Sequence, residues 1–437
     1  MTHREVSTRS PVAPWNAMCH GALLRASARV LAWTAFVLST VPALEVSANQ
    51  MLHRQGTVIV DGRGAPVKLR GVLLEGWLMW NGTLWGAGLT SETAIAAKLT
   101  ELVGEESAQR FRKQVYQHFI TERDIELIAQ MGFNVVRVPL NHTILEDDAQ
   151  PHRYKQSGWS LLDKLLSWCE KHRVHVVLDL HSAPGGQSTI FVNDPDGSGF
   201  YENERSIERT VRLWTAIAER YKDREIIAGY DLLNEPQLPW LAPGERLVEI
   251  YARIAAGIRS VDRHHMLILS GAGAASNDLS MFTRLIDDNQ ALAFHTYNLF
   301  GSDIGEKEHR QYAALSKALD VPIWNGEIGA HTAEWVGAVI GMFEDPSYNI
   351  SGWVFWPWKR VPEAGKRYRH LMGIESTPKW DAVRHWVAGA WWVPKPSRKD
   401  ALKGMQEFID ASNANALRVD PEMRGIVAAF AAPRARK

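Results

Sequence analysis

The chain has 437 residues, 49 Lys and Arg against 49 Asp and Glu, and an apolar fraction of 46%. That is enough sequence for one large α/β domain or two ordinary ones, with a core that needs no disulfide or metal staple. Zero formal net charge gives no electrostatic case for nucleic acid or an anionic membrane as partner. Tryptophan is over-represented at 18 residues, and a surplus of this kind suits sugar-stacking platforms, with at least three expected in a ligand groove.

The first 48 residues read differently from the rest. Arg4, Arg9, Arg25 and Arg29 precede an apolar run from Val30 to Leu38, and Val46-Ser47-Ala48 fits a small-residue cleavage site. The run is short for a membrane span, so 1–48 is expected to be a secretory signal and 49–437 the mature domain, extracellular or periplasmic, with no stable membrane partner. Met18 is an alternative start. Cys19 falls in this segment, and Cys169 sits in the apolar pattern "LLDKLLSWCEKH", which makes it a packed residue rather than a nucleophile.

Eight apolar, β-branched runs then alternate with helix-period segments. They are 68–74, 134–140, 175–182, 227–235, 265–271, 291–297, 322–329 and 351–358. Each is continuous rather than alternating, as for strands covered on both faces. The helical segments include "TERDIELIAQMG", with Thr121 as N-cap and Asp124 three residues on, and "LSMFTRLID" after the fifth run. Eight such units predict a closed (β/α)8 barrel, a single catalytic domain of the TIM-barrel type. A helical insertion is expected between Thr83 and Phe119, after the first strand, where insertions form lids or substrate walls.

In such a barrel the strand C-termini converge on one mouth, and polar residues there face a cleft. "YDLLNEP" carries Asn234 and Glu235 to the end of the fourth run, and "IWNGEIG" carries Glu327 to the end of the seventh. Two carboxyls, one protonated and one ionised, are what cleavage of a glycosidic bond requires. Arg137, central in "NVVRVPL", needs an anionic partner, and Glu327 is the expected one. His181, then His295 and Tyr297 two apart, and Trp356 and Trp358 two apart, complete the strand ends.

These motifs in this order resemble glycoside hydrolase family five, the cellulase-like retaining glycosidases, from about Leu69 to Trp358. The resemblance implies Glu235 as general acid/base and Glu327 as nucleophile. It further implies Arg137 holding Glu327, Asn234 on the sugar hydroxyl beside the reacting carbon, Tyr297 near the nucleophile, His295 and His181 on the acid side, and Trp356 under the sugar. The implied activity is hydrolysis of a β-glucan or gluco-oligosaccharide with retention, without cofactor or metal. A mannan, an aryl glucoside or a glycolipid headgroup are alternative substrates. The first strand departs from the exo-glucanase-like members: in "RGVLLEGWLMWNG", Leu73 replaces an Asn and Glu75 a Gly, and the Glu that grips the terminal sugar is missing. Glu75, Trp77, Trp80 and Trp85 either shape a different subsite or are packing. "NDPDG" lacks a full calcium-ligand series and reads as a turn. Two rival readings, a zinc hydrolase and a non-catalytic sugar-binding protein, lack respectively the ligand spacing and any loss of a catalytic carboxylate.

Overall fold

The computed structural model describes residues 51–240, 242–298, 303–330, 332–363 and 369–431. The expected signal segment lies outside the described residues. Eight parallel strands close into a barrel in sequence order. They are β1 (Leu69–Leu73), β2 (Val135–Asn141), β3 (His175–Ser182), β4 (Ile227–Asp231), β5 (Met266–Ser270), β6 (Gln290–Tyr297), β7 (Ile323–Gly329) and β8 (Ile350–Phe355). β2, β4, β5, β7 and β8 are buried at every residue, which accounts for their unbroken apolar runs. A two-stranded hairpin, His53–Gln55 with Val58–Val60, precedes the barrel.

The insertion folds as two helices, α1 (Glu92–Val103) and α2 (Glu105–His118), followed by α3 (Glu122–Gln130). At α3 the Asp124 carboxylate accepts from the Thr121 N–H at 2.8 Å and its hydroxyl at 2.9 Å, the reciprocal half of a capping box. α4 (Gln156–His172), α5 (Glu204–Tyr221), α6 (Gly244–Arg259), α7 (Glu306–Leu319) and α8 (Ala333–Glu344) form the outer layer, and α9 (Pro378–Val387), α10 (Arg398–Ser412) and α11 (Pro421–Ala431) follow the last strand. Cys169 is buried on α4, and burial pushes its thiol up, as expected of a packing residue.

Two expectations are corrected. "LSMFTRLID" forms no helix. Leu279 and Phe282 are buried from a loop instead, and the Gln290 side chain accepts from the N–H groups of Ile286 and Asp287 at 2.7 and 2.8 Å. So short a segment cannot offset the cost of helix nucleation when its N–H groups have a competing acceptor. The fourth strand stops at Asp231 rather than reaching Glu235. Asn234 N–H still reaches the Leu180 carbonyl at 3.1 Å, but Glu235 turns to φ +41° ahead of Pro236. A non-glycine residue at positive φ persists only where its surroundings fix it.

Candidate active site

The turn after β4 is fixed from the loop that follows β3. Gln187 Nε2 and Asn193 Nδ2 both donate to the Asn234 carbonyl at 2.9 Å. With its carbonyl so held, Asn234 turns its side chain into the barrel mouth, and Glu235 follows it there.

Arg137 is the hub. Its guanidinium, buried on β2, donates from Nη1 to Glu327 Oε1 on β7 at 2.6 Å and from Nη2 to Asn234 Oδ1 at 2.9 Å. It also pairs with Asp231 at 2.8 Å and Asp179 at 3.1 Å. Burial alone would disfavour the cation, but the three carboxylates outweigh it and raise its proton affinity. Asp231 itself is pushed up to about 7, first by burial and then by Asp179, against the pull of Arg137.

Glu327 receives a second hydrogen bond from the Tyr297 hydroxyl. Glu235 faces it: one carboxylate oxygen of each, together with a ring nitrogen of His295, lie within 4.8 Å of one another. His295 Nδ1 is 2.8 Å from Glu235 Oε1 and 3.8 Å from Glu327 Oε2. Burial drives the His295 pKa down to about 4, so the ring is neutral. Its Nε2 has no hydrogen-bond partner among the described residues, which fits the Nδ1–H tautomer: what is left buried is a lone pair and not a donor. Burial pushes both glutamates above the usual carboxyl range. Glu327 is the member held by a guanidinium and a tyrosine hydroxyl, so the charge belongs on Glu327 and the proton on Glu235.

His181 closes the floor, with Nδ1 at 2.7 Å from Asp179 and Nε2 at 3.2 Å from the Asn234 amide nitrogen. Burial opposes its protonation, yet Asp179 carries the pKa to about 9. The Asn234 amide argues for the neutral ring. Arg137 occupies the amide oxygen, so the NH2 group must face Nε2, and two donors cannot share that contact.

Glycine is required where β7 passes these groups. A Cβ at Gly326 would lie 2.8 Å from His295 Nε2, and one at Gly329 would lie 2.3 Å from Tyr297 Cε1.

All eight residues singled out in the sequence thus converge on the mouth, and Asn234, Glu235, Glu327, His181, Tyr297 and Trp356 line one cavity of about 290 Å³. Arg137 and His295 lie beneath it. The expected tryptophan groove is not found: among the described residues Trp356 alone of the tryptophans lines this cavity, while Trp77, Trp80 and Trp85 are buried in packing. Trp358 also turns into the core, donating to Asp124 Oδ1 at 3.0 Å. The rest of the wall sets Glu75, Asn81 and Thr83 beside Leu89 of the insertion, Ile190, Phe191 and Val192 after β3, and Ala274 and Ala275 after β5.

The Cellulase model of glycosyl hydrolase family 5 matches residues 98–360. The chain belongs to this family. A β-xylosidase of Phanerodontia chrysosporium is 34% identical over 319 residues, covering 68% of this chain and 66% of that protein. Endoglucanase C of Acetivibrio thermocellus is 36% identical over 194 residues, covering 44% and 54%. The chain therefore spans just under two thirds of the first relative's length and about half of the second's. Among solved structures, the rutinosidase from Aspergillus niger superposes with a TM-score of 0.56 at 18% identity, over 68% of this chain and 92% of that one, a likeness of fold.

The insertion is tied down by buried polar contacts. Glu92 on α1 is buried, accepts from the Trp80 N–H at 2.9 Å and pairs with Arg112 of α2 at 2.6 Å. Asp194, in the "NDPDG" turn, accepts from the Thr93 N–H at 2.8 Å and from Asn141 at 3.1 Å, so its carboxylate is occupied and the segment is a strut between two loops. Glu235, His295 and Glu327 together also form a conceivable metal triad. They fit one poorly, because the Arg137 guanidinium already sits on Glu327 at 2.6 Å, where a metal cation would have to displace it. Glu75, left open in the sequence between a subsite role and packing, lines the pocket; Asn81 and Thr83, which also line it, carry no signal in the sequence.

Proposed function

We propose that this family 5 chain is a retaining β-glycosidase acting on a β-glucan or gluco-oligosaccharide by double displacement. Glu327 attacks the anomeric carbon while the Glu235 proton passes to the departing glycosidic oxygen, leaving a glycosyl ester on Glu327. Glu235, now a carboxylate, takes a proton from water. The water oxygen forms the new bond to the anomeric carbon, the ester bond breaks, and the sugar leaves with its original configuration.

The observation that carries this reading is the close approach of the Glu235 and Glu327 carboxyls, within 4.8 Å oxygen to oxygen, with unlike partners. Retaining enzymes hold their carboxyls roughly 5–5.5 Å apart, whereas inverting ones leave room for a water. Arg137 and Tyr297 keep Glu327 anionic, and His295 orients Glu235. Asn234 is suited to the hydroxyl beside the reacting carbon, and the Trp356 indole to the sugar face. The names of the relatives, a β-xylosidase and an endoglucanase, support a β-linked substrate. The arginine-flanked apolar segment at 30–38 supports secretion, which N-terminal sequencing of the exported protein tests.

Product analysis on a panel of β-glucans, gluco-oligosaccharides and aryl β-glycosides, with Glu235 and Glu327 variants as blanks, tests the function. Hydrolysis by wild type and not by the blanks is expected; no hydrolysis of any β-glycoside would refute it.

A further inference from the structure

Glu75 is a carboxylate that the two-step mechanism does not use. It is 2% exposed and lines the cavity that holds Glu235 and Glu327. Its Oε1 accepts from Asn81 Nδ2 at 2.8 Å and its Oε2 from the Trp356 indole N–H at 2.5 Å. No Lys or Arg among the described residues pairs with it; His181 Nε2 lies 3.7 Å from Oε1, but that nitrogen is an acceptor turned to the Asn234 amide. Two carboxylate oxygens offer about four acceptor positions, and two of these are filled. A buried anion with unfilled acceptor positions and no cation is costly unless something else donates to it.

The position says what donates. Asn234, His181 and Glu75 all line the cavity, and His181 Nε2 links the other two, 3.2 Å from Asn234 Nδ2 and 3.7 Å from Glu75 Oε1. Asn234 is the residue before Glu235, at the reacting end, and Glu75 is at the far end, tied to the indole edge of Trp356. A sugar lying on that indole with its anomeric carbon between Glu235 and Glu327 presents successive ring hydroxyls to this wall. In that pose the hydroxyl beside the reacting carbon would meet Asn234, and the two that follow would pass His181 toward Glu75.

We propose that Glu75 is a specificity-determining residue that accepts hydrogen bonds from the two adjacent equatorial hydroxyls farthest from the reacting carbon, the 3- and 4-hydroxyls of a glucosyl unit. This rests on the double-displacement reading and adds to it a substrate class: β-glycosides whose glycone is a terminal, gluco-configured sugar with the 4-hydroxyl free. A sugar with an axial 4-hydroxyl turns that donor away from the carboxylate, and a chain extended through the 4-oxygen lacks it.

The test compares kcat/KM for an aryl β-glucoside, its 3-deoxy and 4-deoxy analogues and the matching β-galactoside, using wild type, Glu75→Ala and Glu75→Gln. Hydrogen bonds to a charged group predict that wild type loses roughly 10- to 100-fold on each 3- or 4-position change. Glu75→Ala should lose activity on the parent glucoside but react with the parent and deoxy substrates at rates within about 3-fold of each other, with Glu75→Gln between. If Glu75→Ala falls by one factor on every substrate, Glu75 is scaffolding for Trp356 and the proposal is overturned. If wild type hydrolyses the parent and the deoxy sugars alike, the proposal fails whatever the variants do, and the double-displacement reading stands. If wild type hydrolyses none of them but does hydrolyse longer β-glucans, the proposal fails and the double-displacement reading stands.

Discussion

Arg137 on β2 and Glu327 on β7 meet in the barrel interior with Nη1 and Oε1 2.6 Å apart, the guanidinium fully buried. Three of its contacts are carboxylates on three different strands, so it anchors the floor of the site as well as the charge on Glu327. Arg137→Ala leaves those carboxylates buried without their cation. A loss of about 3–5 kcal/mol in unfolding free energy is expected, read from urea denaturation, together with loss of turnover. An unchanged denaturation midpoint would mean that the ion cluster does not hold the floor.

Glu235 and Glu327 should separate by leaving group. With Glu235→Ala, glycosides of strongly acidic phenols, whose departure needs no proton, should retain formation of the glycosyl-enzyme, while poor leaving groups should lose about 10²–10⁴-fold. Added azide should restore turnover of the former and yield the glycosyl azide. Glu327→Gln should lose turnover on every substrate by roughly 10³-fold or more while sugar binding persists by calorimetry. If the two variants give the same leaving-group dependence, the roles are wrongly divided.

The pH profile follows from the same division. Burial raises Glu235 above the usual carboxyl range, and the acid is active only when protonated. kcat/KM for a poor leaving group should therefore fall as pH rises through that raised value, giving an alkaline limb displaced upward from an ordinary carboxyl. Strongly acidic phenols, which leave without a proton, should show a weaker limb with wild type, and the residual activity of Glu235→Ala should show none on either class of substrate. A limb that survives the substitution belongs to another group.

Much of this site was legible in the sequence because its chemical groups stand within or just after apolar strands, and eight such strands admit few closures. What was not legible depends on contacts distant along the chain. The turn at Asn234–Glu235 is set by Gln187 and Asn193, so β4 was read as running through it. "LSMFTRLID" has helical spacing, but Gln290 claims its N–H groups. The tryptophans carry no mark of burial in their own letters, and Trp77, Trp80 and Trp85 proved to be packing around the insertion.

The close approach of β7 makes two glycines sensitive. Gly329→Ala would place a methyl 2.3 Å from the Tyr297 ring, and Gly326→Ala one 2.8 Å from His295 Nε2. Each should cost about 1–3 kcal/mol of stability through overpacking and lower kcat more than it raises KM, because Tyr297 and His295 touch the reacting carboxyls. Thermal melts and steady-state kinetics check both; wild-type kcat in Gly329→Ala would show that Tyr297 need not stay where it is.

The anomer released first is the sharpest test of the paired glutamates. Proton NMR during the opening minutes of hydrolysis of a β-glycoside, before mutarotation, should show the β-anomer of the freed sugar, the outcome of two successive inversions at one carbon. The α-anomer as first product would require a single displacement by water and would contradict a covalent ester on Glu327.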